Sequence, residues 1–285
     1  MTVSRYLATS PVSKNDTRLF LRYVCGLSES QIFTQADREL SQEEKSRLDR
    51  CVSLSADGKP TAYIIGYRDF WRYRFKVTEG VLIPQPDTET LVENAISSLK
   101  KSRQSHLRIL DLCAGSGCIG VSVAKELSES GKKTELTLSD ISRDAYRVFS
   151  ENAGIILKDT GVVVKCYCAD LFDAVNVDVR ENGKYNAILT NPPYIRTDVI
   201  CTLSKQVQSE PHIALDGGAD GLDLIKKIVS QAANFLTDNG LLLCEIGYDQ
   251  GNEVKELFEN AGYRETHIIC DLGGRERVVS GIHRG

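Results

Sequence analysis

Asp111-Leu112-Cys113-Ala114-Gly115-Ser116-Gly117-Cys118-Ile119-Gly120 decides the fold. The stretch leaves a strand-like apolar run at 108–112 and opens a helical pattern near 119–130, and its glycines let backbone approach a ligand at the strand exit. Read literally, Gly115-x-Gly117-x-x-Gly120 satisfies the dinucleotide fingerprint, and Asp140 stands 20 residues after Gly120, where an acid accepts hydrogen bonds from a ribose diol. The loop by itself leaves NAD and S-adenosylmethionine both open. Asp111 tilts the choice, because a carboxylate at the strand end suits a cationic amino-acid moiety and repels a pyrophosphate. The plainer alternative is that Asp111 caps the helix or orders the loop.

Outward from this loop, strand-like and helical stretches alternate. Strands are expected at 108–112, 135–140, 162–167, 185–190 and 241–246, with a final pair near 267–270 and 277–282. Helices are expected near 119–130, 143–157, 222–236 and 250–261. The alternation predicts an α/β fold: a doubly wound, mostly parallel seven-stranded sheet with a terminal antiparallel hairpin, binding its ligands at the strand C-termini. Apolar residues at helical spacing between about 15 and 55 predict a small helical N-terminal domain. The aromatic segment from Tyr63 to Trp71, followed by alternating Tyr73, Phe75 and Val77, reads as a β-hairpin linker. The expected boundaries are 1–60 for the helical domain, 61–80 for the linker and 81–285 for the α/β domain. Asp87 or Thr88 is expected to cap a helix running to about residue 101.

The third motif is Asn191-Pro192-Pro193-Tyr194, at the end of the run 185–190. Consecutive prolines donate no N–H and hold φ near −65°, so the turn is stiff and accepts hydrogen bonds without returning them. The Asn191 side-chain carbonyl and the Pro192 carbonyl can together receive both N–H bonds of a planar –NH2 group, on which Tyr194 can stack. Asp170, in Cys168-Ala169-Asp170-Leu171-Phe172, is placed to accept from an adenine amino group, although Asp after a strand is also ordinary turn chemistry.

Composition narrows the classes. A net charge of −4 over 285 residues, with Lys and Arg only in short groups such as Lys100-Lys101, gives no nucleic-acid footprint. No signal peptide or membrane-length apolar run is legible, so a cytoplasmic protein without membrane contact is expected. Nine cysteines without a CxxC pair and four scattered histidines predict reduced thiols, no metal site and no His-based nucleophilic constellation.

Together these residues resemble the class I S-adenosylmethionine-dependent methyltransferases, and more narrowly the bacterial protein-glutamine N5-methyltransferases that modify peptide chain release factors. The resemblance spans nearly the whole chain. It rests on Ala62-Tyr63-Ile64-Ile65-Gly66, on Leu82-Ile83-Pro84-Gln85-Pro86-Asp87-Thr88-Glu89, on the glycine loop, and on Asn191-Pro192-Pro193-Tyr194-Ile195. Glu210-Pro211, Ala214-Leu215-Asp216-Gly217-Gly218 and Glu245-Ile246-Gly247 complete it. It implies S-adenosyl-L-methionine as cofactor, with Cys113, Ala114, Gly115, Ser116 and Gly117 along its methionine and ribose, Asp140 on the ribose, and Asn191 to Tyr194 on the substrate glutamine. It also implies that the helical domain grips the release factor, with a monomer expected. Gln85 stands where the family usually has Arg, and Leu171 where it often has Trp. The competing reading is an amino-methyltransferase acting on adenine in nucleic acid, since an Asn-Pro-Pro-Tyr turn suits any planar –NH2. The acidic balance and lack of a basic channel count against it.

Overall fold

Serines set the first helices of the computed structural model, which describes residues 1–285. Ser13, Ser28 and Ser41 each accept from the N–H three residues on, and Gln31 and Glu44 return the bond to the Ser28 and Ser41 backbones as capping boxes. The helices are α1 (Val3–Thr9), α2 (Lys14–Cys25), α3 (Glu29–Thr34), α4 (Gln42–Ala56) and α5 (Thr61–Ile65). Phe20, Leu21 and Val24 of α2 pack with Leu48, Cys51 and Val52 of α4 in the core of this part of the chain.

Thr61–Ile65, expected as the start of a hairpin, is instead a helical turn. The Pro60 carbonyl accepts from Tyr63 and Ile64, and Gly66 at φ 81° ends the turn. The hairpin proper is β1 (Tyr67–Phe70) and β2 (Tyr73–Lys76). Its turn is tied down by Trp71, whose N–H donates to Glu89 Oε1 at 2.7 Å and whose indole donates to Glu126 at 3.0 Å. Then follow α6 (Glu89–Lys101), β3 (His106–Leu112), α7 (Cys118–Glu129), β4 (Lys133–Asp140), α8 (Arg143–Ile156), β5 (Val163–Cys168), α9 (Val175–Asn182) and β6 (Tyr185–Thr190). The chain continues through α10 (Thr197–Ile200), α11 (Lys205–Gln208), α12 (Asp223–Ala232), β7 (Leu236–Glu245), α13 (Gly251–Asn260), β8 (Arg264–Cys270) and β9 (Glu276–Ile282). Residues 1–67 with 204–209 form one compact unit, and 68–203 with 210–285 form the other.

The sheet of the larger unit has seven strands in the order β5-β4-β3-β6-β7-β9-β8. All neighbours are parallel except β9, which runs antiparallel to both β7 and β8. Its central strands carry near-continuous apolar runs because both faces are covered: Leu107, Ile109, Leu110 and Leu112 of β3 are all buried. Strand order reverses between β3 and β6, which opens a crevice at their C-terminal ends. Register fixes what reaches it. Leu112 pairs with both Ser139 and Thr190, and Thr190 pairs with Cys244. The next residue on each strand, Cys113, Asp140, Asn191 and Glu245, therefore lies along one row. No helix is long and apolar enough to cross a membrane.

Candidate active site

The glycine loop curls because alternate residues take left-handed backbone: Cys113 at φ 59°, Gly115 at 55° and Gly117 at 77°. Cys113 does so with a side chain, a conformation that L-residues seldom adopt outside functional turns. The curl turns the Gly115 N–H onto Asp140 Oδ2 at 2.9 Å, while Asp140 Oδ1 accepts from the Ser142 N–H at 2.9 Å. Burial pushes the Asp140 carboxyl up from its ordinary value, and the N–H groups of Ser142, Gly115 and Ile141 work against that. Each oxygen retains lone-pair capacity for a further donor from the cavity.

One cavity collects most of the predicted residues. Its wall holds Cys113, Ala114, Gly115 and Ser116 from the loop, Asp140, Asp170, Leu171, and Asn191 with Pro193 from the proline turn. Leu171 takes φ 39°, a second strained non-glycine residue in the same wall. Lys227 is the one cationic side chain there. Gln85 is also in the wall, with its Nε2 donating to the Ile83 carbonyl at 3.1 Å. Ile83 in turn donates its N–H to Glu210 Oε2 at 2.8 Å, and burial pushes the Glu210 carboxyl up to about 7 against the pull of that bond.

Four predicted residues lie outside that wall. Asp111 is wholly buried beneath the loop, accepting from the Gly120 N–H at 2.8 Å, with Oδ1 left unpartnered. That bond ties it to the first turn of α7, and burial raises its carboxyl to about 8. Gly117 is the N-cap of α7. Pro192 is buried. Tyr194 packs against the core cluster and turns its hydroxyl to Glu245 Oε1 at 3.4 Å.

The proline turn is braced from two sides. Ile195 and Asp216 form a parallel bridge, with Ile195 N–H donating to the Leu215 carbonyl and Gly217 N–H to that of Ile195. Gln250 Nε2 donates to the Tyr194 carbonyl at 3.0 Å. A Cβ on Gly221 would lie 2.5 Å from that carbonyl oxygen, which is why Ala214-Leu215-Asp216-Gly217-Gly218 leads into another glycine. Beneath the turn, Asn191 Nδ2 donates to Thr88 Oγ1 at 3.5 Å. Neither Asp87 nor Thr88 caps α6: Asp87 pairs with Arg277 at 3.1 Å, and Thr88 makes no cap bond. Burial raises the Glu245 carboxyl to about 7, against the Thr88 hydroxyl, the Arg277 charge and the Tyr194 hydroxyl, which favour its ionised form. Thr88, Glu210 and Gln250 were not anticipated as site residues, although the first two lie in quoted motifs.

Two family models match the chain: the PrmC N-terminal domain over residues 2–66 and the Methyltransferase small domain over residues 88–210. Among curated relatives, the release factor glutamine methyltransferase of Clostridium botulinum is 35% identical over 265 residues, covering 93% of this chain and 90% of its own. That of Neisseria gonorrhoeae is 34% identical over 281 residues, covering 99% and 97%. Among solved structures, the hMettl16 catalytic domain in complex with MAT2A 3'UTR hairpin 1 aligns with a TM-score of 0.55 at 13% identity, over 99% of this chain and 93% of that one, and shares the fold.

Proposed function

This chain belongs to the release factor glutamine methyltransferase family, and we propose on that footing that it transfers the methyl group of S-adenosylmethionine to the side-chain amide nitrogen of a glutamine in peptide chain release factors. The observation that carries the reading is that Asp140 and Asn191 open on one cavity. Its wall suits this cofactor better than a dinucleotide. It offers two carboxylates, a single lysine and apolar faces from Leu112, Ile119, Ile141 and Leu171, where a pyrophosphate would need several donors or cations. Asp140 holds the ribose diol, residues 113–116 run along the methionine, and Asp170 with Leu171 meets the adenine. Residues 1–60 recognise the release factor.

When bound, S-adenosylmethionine supplies an electrophilic methyl group on a sulfonium. A glutamine amide nitrogen is a weak nucleophile because its lone pair is delocalised into the carbonyl. Asn191 Oδ1, with the Pro192 carbonyl, accepts the two N–H bonds and stabilises the positive charge that grows on nitrogen, more in the transition state than before it. The stiff turn holds nitrogen in line for displacement. The methylated nitrogen is acidic enough to release its proton afterwards, so no general base is needed.

Incubation with methyl-labelled S-adenosylmethionine and purified release factors, followed by mass-spectrometric mapping, should place the label on one glutamine. Label on nucleic acid and none on release factor would overturn the assignment.

A further inference from the structure

Thr88 stands at the N-cap position of α6, where a threonine hydroxyl ordinarily accepts from a helix N–H, yet it makes no such bond. It is 2% exposed and stands in the wall of the same cavity as Asn191. Its hydrogen-bond partner lies on another element: Asn191 Nδ2 donates to Oγ1 at 3.5 Å. Resting on the reading of Asn191 as the acceptor residue, we propose that Thr88 is a positioning residue that holds the Asn191 side chain with its carbonyl, and not its –NH2, towards the substrate amide.

The argument is one of hydrogen-bond polarity. An asparagine amide is nearly symmetric in shape, and its two orientations differ only in which end donates. With the wrong end forward, Asn191 would present donors to the N–H bonds it is required to accept. In the structure the Thr88 hydroxyl oxygen faces the Asn191 –NH2 and not its carbonyl. Oδ1 remains for the cavity. Glu245 nearby is held by the Tyr194 hydroxyl at 3.4 Å.

Thr88→Val keeps the shape and removes the hydroxyl. In single-turnover methylation of a release factor it should slow transfer about tenfold, the effect of one hydrogen bond, with S-adenosylhomocysteine affinity unchanged. Thr88→Ser should restore the rate. In an Asn191→Ala background, Thr88→Val should cost nothing further, because the hydroxyl acts only through Asn191. A parental rate for Thr88→Val, an equal loss in both backgrounds, or a parallel loss of cofactor affinity would each overturn the positioning role while leaving the function intact. A parent protein that leaves the release factor unmodified would overturn both.

Discussion

At the scale of single residues, two aspartates at neighbouring strand ends sit in different surroundings. Asp111 lies under the loop, where a Cβ on Gly120 would come within 2.7 Å of its own Cβ, so the last glycine of the fingerprint serves helix-on-strand packing and seals the acid in. Asp140 has the same charge one strand over, but its oxygens are held by loop N–H groups with the cavity still open to them. Asp140→Ala should therefore weaken S-adenosylhomocysteine binding about tenfold to a hundredfold, the loss of a charge-assisted hydrogen bond. Asp111→Asn, which retains an acceptor for Gly120, should bind near the parental value. Calorimetric titration of both variants decides the matter, and equal losses would mean that both acids face the cofactor.

At the scale of elements, what could be read in the chain depended on how local its cause was. The run Tyr185–Thr190 was legible as a strand because its apolar residues are contiguous, and the glycine loop and proline turn because backbone constraints are written in residue type. Thr61–Ile65 misled because β-branched and aromatic residues mimic a strand, whereas Pro60 and Gly66 set the turn. Helix α9 was missed for a similar reason: Val175, Val177 and Val179 alternate as on a strand, and only the fold reveals that Asp178 between them is buried. Asp178 takes the Tyr185 hydroxyl at 2.6 Å and pairs with Arg108 and Lys165, tying α9 to β3, β5 and β6. Burial pushes its carboxyl up, but Lys165, Tyr185 and Arg108 outweigh that and hold it below the ordinary range. Removing it would strip Lys165 of its carboxylate and leave Arg108 with Glu135 alone, at 3.1 Å, so Asp178→Ala should destabilise the larger unit by about 3–5 kcal/mol in denaturant titration. A loss near that of a surface pair, under about 1 kcal/mol, would show that water replaces the carboxylate. The supports of the site were hidden by the same rule: Ile83 meets Glu210 across 127 residues of sequence, and Asn191 meets Thr88 across 103.

At the scale of the whole molecule, the C-terminal end of the parallel strands and the segments packed on it store charge that the fold prefers to keep neutral. Burial raises Asp111 to about 8 and Glu210 and Glu245 to about 7, and all three exceed the range of a carboxyl in an unfolded chain. A folded state that holds protons more tightly than the unfolded one gains stability at low pH and loses it as pH rises through the folded values. The ligand-free larger unit should thus be less stable at pH 8 than at pH 6, on the order of 3 kcal/mol once relaxation around buried charges is allowed for. Asp178 does not blur this window, because a depressed carboxyl titrates well below it. His283, whose imidazole burial holds down, opposes it only below its ordinary value of 6.5. The measurement is convenient, because Trp71 is the sole tryptophan and sits in the hairpin turn anchored to Glu126, so its fluorescence reports the larger unit. Urea midpoints taken at pH 6 and pH 8 should fall with pH, and Glu210→Gln should reduce the slope without abolishing it. A midpoint that is unchanged or higher at pH 8 would mean that these carboxyls are ionised at neutral pH and already solvated in the open cavity.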